Sequence, residues 1–189
     1  MYQTTSDISQ PSEPIRPRLQ VSRPSNPVGI VNLSSGRAEA GHMLSLDQAS
    51  AMVDAVLGHG RTLDCAPLTV AVLDQGGHLL VLKRQDGCGI LRPKIAQAKA
   101  WGALGMGVGS RALAEDAAGA PAFYAALASI ADGQMAPIPG GVLVRNRWGD
   151  VVAAIGVSGD NPANDESCAV FGIETVGFTA DPGEDSDQF

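Results

Sequence analysis

The pattern of apolar and polar positions from residue 45 onward first predicts helices. Ser45 and Gln48 have the spacing of a capping box, in which each side chain bonds the other residue's backbone amide. Pro93 and Pro121 suit the first turns of two further helices, which we expect to end near residues 104 and 130. After the capping box, apolar residues recur at helical spacing until the glycines at 58 and 60, namely Leu46, Ala49, Met52, Val53, Val56 and Leu57.

Two later stretches have the pattern of β-hairpins. "LTVAVL" and "HLLVLK" are joined by the turn "DQGG", and "GVLVRNRWGDVVAAIGVSG" contains a second pair of strands. With an offset of 72 residues, Asp74 aligns with Asn146, Gly77 with Gly149 and Gly87 with Gly159. This likeness fits an internal repeat and a common hairpin solution equally well.

A last helix is expected to open at Asn164, with Asp165 and Glu166 in its first turn. The order helix, hairpin, helices, hairpin, helix does not alternate as βαβ units do. Because short hairpin links require antiparallel pairing, we predict an α+β fold with helices packed on the faces of an antiparallel sheet.

The two ends of the chain differ from its middle. Residues 1–40 contain repeated Pro and Ser without a hydrophobic period, which predicts a mobile arm or an arm that is ordered only against a partner chain. Residues 181–189 are acidic and belong to the stretch "TADPGEDSDQF", which we expect to be a solvated tail. The 189 residues, 44% of them hydrophobic, therefore predict a single domain over about residues 41–180.

Charge and cysteine usage exclude several functional classes. The net charge is −7 and no basic block interleaved with aromatics occurs, so a nucleic-acid partner is not expected. Three cysteines without a Cys-x-x-Cys spacing argue against a disulfide framework and a thiolate metal site, and we expect no metal. Neither a signal peptide nor a membrane helix is apparent, so we expect a cytoplasmic protein that does not bind membranes.

Positive charges are nevertheless concentrated in one segment. Residues 83–111 contain Lys83, Arg84, Arg92, Lys94, Lys99 and Arg111. The same segment contains one acidic residue, Asp86, and the next acids along the chain follow near residue 115. These cations either solvate a helix face or form a cluster that attracts an anionic ligand.

Histidines give a weaker signal. His42, His59 and His78 have no ligand spacing to one another or to a cysteine. His78 directly follows the glycines of the first hairpin, where a strand residue can face a pocket mouth. Non-covalent haem needs only one axial donor from His, Cys, Met or Tyr, so haem is a possible cofactor, and the sequence offers too many donors to choose among.

Four segments together carry a family resemblance. "VAVLDQGGHLLVLKRQDG", "KIAQAKAWGAL", "PIPGGVLVR" and "GDVVAAIGVSGDNPANDE", in that order, resemble the GlcG/HbpS family of haem-binding-type domains, also found as the C-terminal part of PduO-like proteins. The resemblance implies a profilin-like three-layer α/β/α fold with a central five-stranded antiparallel sheet. It also implies a homo-oligomer, for which we expect a tetramer or octamer.

The excess of positive charge and the resemblance together predict a functional site. We expect one pocket that binds haem or another anionic small molecule, lined by His78, Arg84, Arg92, Lys99, Pro139, Gly140, Gly141 and Ser158. The alternative is an enzyme or accessory enzyme of small aromatic or organic-acid catabolism, in which Lys99 and Asp165 or Glu166 act as acid and base. The chain departs from the usual family pattern at Cys88, Leu91 and Arg92, and the additional arginine fits an anionic ligand.

Overall fold

A computed structural model of the chain describes residues 43–183. The predicted N-terminal arm, residues 1–40, and the end of the predicted tail, residues 184–189, lie outside the described residues. Within the described part, no helix is both long and apolar enough to cross a membrane.

Between residues 43 and 183 the chain forms five helices and five strands. In chain order they are α1 (Leu46–Thr62), β1 (Thr69–Asp74), β2 (Leu79–Arg84), α2 (Arg92–Met106), α3 (Ser110–Gly119), α4 (Pro121–Ile130), β3 (Gly141–Arg145), β4 (Val151–Ser158), α5 (Pro162–Thr175) and β5 (Thr179–Asp181).

The first helix begins as predicted and continues further. Ser45 caps it, and the reciprocal bonds of the capping box with Gln48 are both present. The helix passes through Gly58 and Gly60, where the sequence predicted its end. Tertiary packing outweighs the weak helix propensity of glycine here, because Gly60 lies where a side chain would collide with Leu68.

Two other sequence-based boundaries were wrong, and one helix was missed. The last helix begins at Pro162 and not at Asn164, because the Asn161 side chain caps it by accepting the Asn164 amide. Helix α3 had not been predicted at all. Residues 179–181 form the edge strand β5 and not a solvated tail, because they pair with β3 and Asp181 accepts a hydrogen bond from Arg145 at 2.8 Å.

The five strands form one antiparallel sheet in the order β2-β1-β4-β3-β5. Each predicted hairpin is present, and the two hairpins join where β1 pairs with β4. In that pair Thr69 lies opposite Ser158 and Asp74 lies opposite Ala153. The sheet therefore has one end at the hairpin turns and an opposite end near Thr69 and Ser158.

Helices cover both faces of this sheet. On one face α1 and α5 pack over a core that includes Met52, Val72, Ile155 and Ile173. On the other face α2 packs over a smaller core around Leu143. The three-layer profilin-like arrangement with a five-stranded antiparallel sheet is confirmed.

The two hairpin turns use the same hydrogen bonds. In the first, the Asp74 carboxylate accepts the backbone amides of Gly76 and His78. In the second, the Asn146 side-chain oxygen accepts the amides two and four residues later, at Trp148 and Asp150. The alignment of the two segments therefore corresponds to a shared turn structure.

The contact of α2 with β4 depends on a residue without a side chain. A Cβ atom at Gly156 would overlap the carbonyl oxygen of Ala96, which is backbone and cannot move aside. We predict that Gly156→Ala lowers the free energy of unfolding by about 3 kcal/mol or more, through overpacking. Urea unfolding measures this loss. Gly119→Ala is the control, since within residues 43–183 no atom outside its own helical segment lies within 4 Å of that Cβ position. Equal stability of the two variants would contradict the prediction.

Candidate functional site

Lys99 lies on the sheet-facing side of α2, and its side chain is almost completely buried. Its ammonium donates hydrogen bonds to the carbonyl oxygen of Val157 and to Asp165 Oδ2, each at 2.8 Å. The side chains of Lys99 and Asp165 are each 2% exposed. A single buried ion pair thus connects α2 to the end of β4 and to the start of α5.

Burial dominates the electrostatics of this pair. It lowers the pKa of the Lys99 ammonium, and attraction to Asp165 opposes only part of the shift. It also raises the pKa of the Asp165 carboxyl, against the opposing effect of Lys99. Both shifts oppose the ionised forms, so removal from water costs more than the mutual attraction returns.

The turn before β3 closes tightly around Lys99. Gly140, which follows Pro139, has φ +111°, and a Cβ atom there would approach Lys99 Nζ within 2.9 Å. The Gly141 amide donates to the Ser110 hydroxyl at 2.7 Å. Backbone therefore fills the space beside the ammonium, and these glycines serve close packing around the pair.

A second ion pair lies at the same end of the sheet. Arg111 Nε donates to Glu166 Oε1 at 3.1 Å, and the arginine NH2 group also contacts this oxygen. Glu166 is buried, and its other oxygen, Oε2, has no hydrogen-bond partner among the residues that the structure describes. The two acids at the start of α5 are thus each committed to a different cation.

Arg92 and Ser158 lie together at the outer edge of this ionic cluster. Arg92 NH1 donates to Ser158 Oγ at 3.3 Å. Asp160 follows, and its carboxylate has a lowered pKa because it accepts the amides of Asn161 and Ala66. Arg92 is only half-buried, so its guanidinium reaches the surface beside the buried pair.

The fold pairs half of the six cations that are concentrated in residues 83–111 with carboxylates. Lys83, Lys99 and Arg111 each form a salt bridge with a carboxylate on α1 or α5. For the other three cations of the segment, Arg84, Arg92 and Lys94, no salt bridge to a described carboxylate occurs. Half of the cations therefore form ion pairs within the domain, which neither alternative had anticipated.

His78 lies at the opposite end of the sheet, in the first hairpin turn. Its Nδ1 is 3.2 Å from Asp74 Oδ1, and its side chain is 82% exposed. The backbone amides of His78 and Gly76 lower the pKa of the Asp74 carboxyl by donating to it. An ionised carboxylate thus orients the imidazole at the surface.

A cavity of about 330 Å³ lies beside this turn, between the first hairpin, α2 and the loop after α4. We call it the hairpin pocket. Its apolar wall consists of side chains from β1, β2 and α2, with polar groups at the rim. The lining residues are Leu73, Gly77, Leu79, Lys94, Gln97, Ala98, Trp101, Asp132, Gly133 and Gln134.

The structure divides the single pocket that the sequence suggested into two regions. Lys99, Asp165, Gly140, Arg92 and Ser158 come together at one end of the sheet. His78 lies at the other end, because Asp74 and Thr69 are five residues apart in β1, a span of about 16 Å in an extended strand.

Arg84 lies opposite Thr69, at the same end of the sheet as the ionic cluster. It does not line the cluster but borders a separate cavity of about 460 Å³, whose lining residues are Cys65, Pro67, Arg84, Gln85 and Asp86.

Sequence reasoning missed the hairpin pocket. Lys94, Ala98 and Trp101 follow one another at helical spacing, which is the signal that could have placed them on one face of α2. No sequence pattern indicated that the loop at Asp132–Gln134 would close the other side. That wall depends on how α3 and α4 return the chain to the sheet.

The structure also separates the potential iron ligands. Within residues 43–183, His59 stacks on Phe171 with ring centroids 4.0 Å apart, Cys88 contacts the Thr69 hydroxyl, and Tyr124 bonds Asp116. His78 is exposed and has a carboxylate partner. It has the arrangement usual for a metal-binding histidine, whose second nitrogen is held by an acidic residue.

A family model described as "Haem degrading protein HbpS-like" matches residues 44–174. The chain belongs to the HbpS-like family. The resemblance inferred from the four sequence segments is thereby confirmed.

Solved structures agree with this membership in the family. The crystal structure of HbpS is 30% identical, with a TM-score of 0.63, and the match covers 71% of this chain and 91% of HbpS. An HbpS double mutant from Streptomyces reticuli is 26% identical with a TM-score of 0.63, covering 89% of this chain and 99% of that chain.

A complex of PduOC with heme shares the fold, at 23% identity and a TM-score of 0.65, covering 72% of this chain and 96% of that chain. No curated protein matches the chain.

The buried pair of this HbpS-like domain generates a stability prediction. Lys99→Met leaves the Asp165 carboxylate buried without its cation, so we expect the free energy of unfolding to fall by about 3–5 kcal/mol. Adding Asp165→Leu should restore most of this loss, because apolar replacement of both partners removes the desolvation cost. Urea unfolding of the single and double variants measures both effects.

Lys83→Met is the matched control, since its salt bridge with Asp54 at 2.7 Å is exposed. We expect it to change stability by no more than about 1 kcal/mol. If Lys99→Met were equally mild, the buried pair would not be the constraint described above.

Proposed function

We propose that this protein binds a small carboxylate-bearing molecule, and that its specific ligand is haem held through His78. Two findings support the proposal. The family model carries the description of a haem-degrading protein, and HbpS is among the structures that this chain resembles. The observation that carries it is the His78–Asp74 pair, which presents an oriented imidazole at the surface.

The hydrogen bonds of the turn determine which nitrogen is available. Two backbone amides keep the Asp74 side chain in its carboxylate form. The carboxylate therefore accepts a hydrogen bond from Nδ1, the imidazole nitrogen that faces it. The other nitrogen, Nε2, then carries the free lone pair. This is the atom that would bind iron, and the turn would fix the direction of approach.

The hairpin offers haem two kinds of group that it requires, an imidazole for its iron and an apolar side chain for its macrocycle. Leu79 follows the histidine directly and is 48% exposed, so it offers apolar contact to the face or edge of a macrocycle. Bound haem would supply redox chemistry at its iron. The chain supplies the imidazole, its orientation and an apolar neighbour.

Arg92 is a separate part of the proposal. It is the half-buried cation at the edge of the ionic cluster, and a ligand carboxylate could replace the Ser158 hydroxyl as its partner. Because it lies at the other end of the sheet, Arg92 does not share one haem with His78.

The acid/base alternative receives less support. Lys99 and Asp165 are sealed and bonded to each other, and Glu166 is engaged by Arg111. A substrate would reach them only if the turn at Gly140 moved. Binding is therefore the function that the geometry favours.

A hemin titration followed by absorption tests the proposal. His78→Ala should remove the spectrum of imidazole-bound iron. Asp74→Asn should weaken hemin binding by about 10- to 100-fold, the usual effect of removing a carboxylate behind a metal-binding histidine. Asparagine is a suitable replacement, because Asn146 makes the same turn bonds in the second hairpin.

His59→Ala is the matched control and should leave the spectrum unchanged. Arg92→Ala, titrated in parallel, measures whether the ionic cluster takes part. An unaltered hemin spectrum in His78→Ala would overturn the assignment of His78, and no hemin binding by the unmodified protein would overturn the haem proposal itself.

The predicted homo-oligomer, a tetramer or octamer, also stays a proposal. Helix α4 supports it, since Phe123 is 57% exposed and Ile130 is 79% exposed on a helix without charged residues. Light scattering should give a mass of about four or eight times the 19.4 kDa of one chain. A monomer at all concentrations would contradict this expectation.

A further inference from the structure

We propose that the hairpin pocket is a second binding site, which takes a small planar aromatic carboxylate. It stands on its own geometry and does not require haem at His78. Four features of the pocket carry the inference: its size, its aromatic wall, its cation and its rigid rim.

The size of the pocket defines the class of ligand. Its volume of about 330 Å³ lies at the lower end of the range of roughly 300–1,000 Å³ found for small-molecule sites. A tetrapyrrole would project far beyond such a cavity. A molecule of one or two fused rings would be enclosed by it.

The wall of the pocket favours a planar ring. Trp101 is half-buried, and its Nε1 lies 3.1 Å from where a Cβ atom of Gly77 would be. The indole is therefore held against the hairpin by a residue that has no side chain. With Leu73, Leu79 and Ala98 it forms an apolar surface, against which an aromatic ring can stack.

The rim of the pocket supplies the charge preference. Lys94 lies in the first turn of α2, is exposed, and forms no salt bridge with a described carboxylate. Its ammonium and the Gln97 amide can both donate to a carboxylate. On the opposite wall Asp132 and Gln134 can accept a hydrogen bond, which suits a hydroxyl group across the ring from the carboxylate.

Hydrogen bonds fix the loop that carries this opposite wall. Asp132 and Gly133 are both left-handed, with φ +49° and +73°. Their amides donate to Ser129 and Ala128, and the Gln134 amide donates to Ala131 at 2.8 Å. Both walls are therefore formed before a ligand arrives, which reduces the entropic cost of binding.

Intrinsic fluorescence can detect an occupant of the pocket. The chain has two tryptophans, and the second, Trp148, lies in the other hairpin turn. In a Trp148→Phe background, Trp101 is the one remaining tryptophan, so its emission reports on the hairpin pocket. We expect 4-hydroxybenzoate, benzoate or indole-3-carboxylate to change its emission, and calorimetry to give the dissociation constant. The matching neutral amides should bind about tenfold more weakly or worse, because they lack the charge that Lys94 recognises.

Lys94→Ala should weaken binding of the acids by about tenfold and leave binding of the amides unchanged. Arg84→Ala is the matched control, because Arg84 is another exposed cation without a described salt bridge. Loss in Lys94→Ala alone supports the proposal. Equal losses in both variants would show nonspecific charge attraction and overturn it.

The proposal is equally overturned if neither acids nor amides bind, or if acids and amides bind equally. His78→Ala separates it from the haem proposal. That variant should lose imidazole-bound hemin and retain binding of the aromatic acids. Loss of acid binding in His78→Ala would show that the pocket is not an independent site.

Discussion

The placement of a single ammonium group organises this fold. The Lys99 side chain extends from α2 toward the sheet, where its ammonium donates hydrogen bonds to the Val157 carbonyl and to Asp165. Two glycines allow the close packing around this contact: a Cβ atom at Gly140 would meet the ammonium, and one at Gly156 would meet the Ala96 backbone where α2 packs on β4. The pair ties α2 to the end of β4 and to the first turn of α5. Burial disfavours the ionised form of both partners, so the net contribution of the intact pair to stability is small compared with the cost of removing one partner alone.

Local chemistry explains what could be predicted from the sequence. The capping box at Ser45, the two hairpin turns and the helix at Pro121 each depend on neighbouring residues, and each is present. The misplaced start of α5 has a local cause as well, since Asn161 and Asn164 are both acceptable caps and only the first is used. The strand β5 depends on pairing with a distant strand, so no local pattern indicated it.

The candidate site shows the same division. Sequence identified the chemically important residues, but an excess of cations along 29 positions of chain does not reveal which acids fold against them. Asp165 and Glu166 stand more than fifty residues after their partners, and they form ion pairs with two of the six cations, Lys99 and Arg111. The cations that form no salt bridge with a described carboxylate are Arg92 and Lys94 on α2 and Arg84 on β2. The hairpin pocket escaped prediction because three separate segments form it.

The two hairpin turns present the same scaffold with reversed chemistry. In one, an acid precedes an imidazole by four positions, and in the other an amide precedes the acid Asp150 by the same interval, with Asn146 Nδ2 donating to it at 3.2 Å. The turn bonds use only an oxygen that both Asp and Asn possess. Backbone shape and surface chemistry are therefore uncoupled at these positions. One sheet thus carries two turns with the same backbone hydrogen bonds, one of which exposes an imidazole while the other places a carboxylate at the same interval.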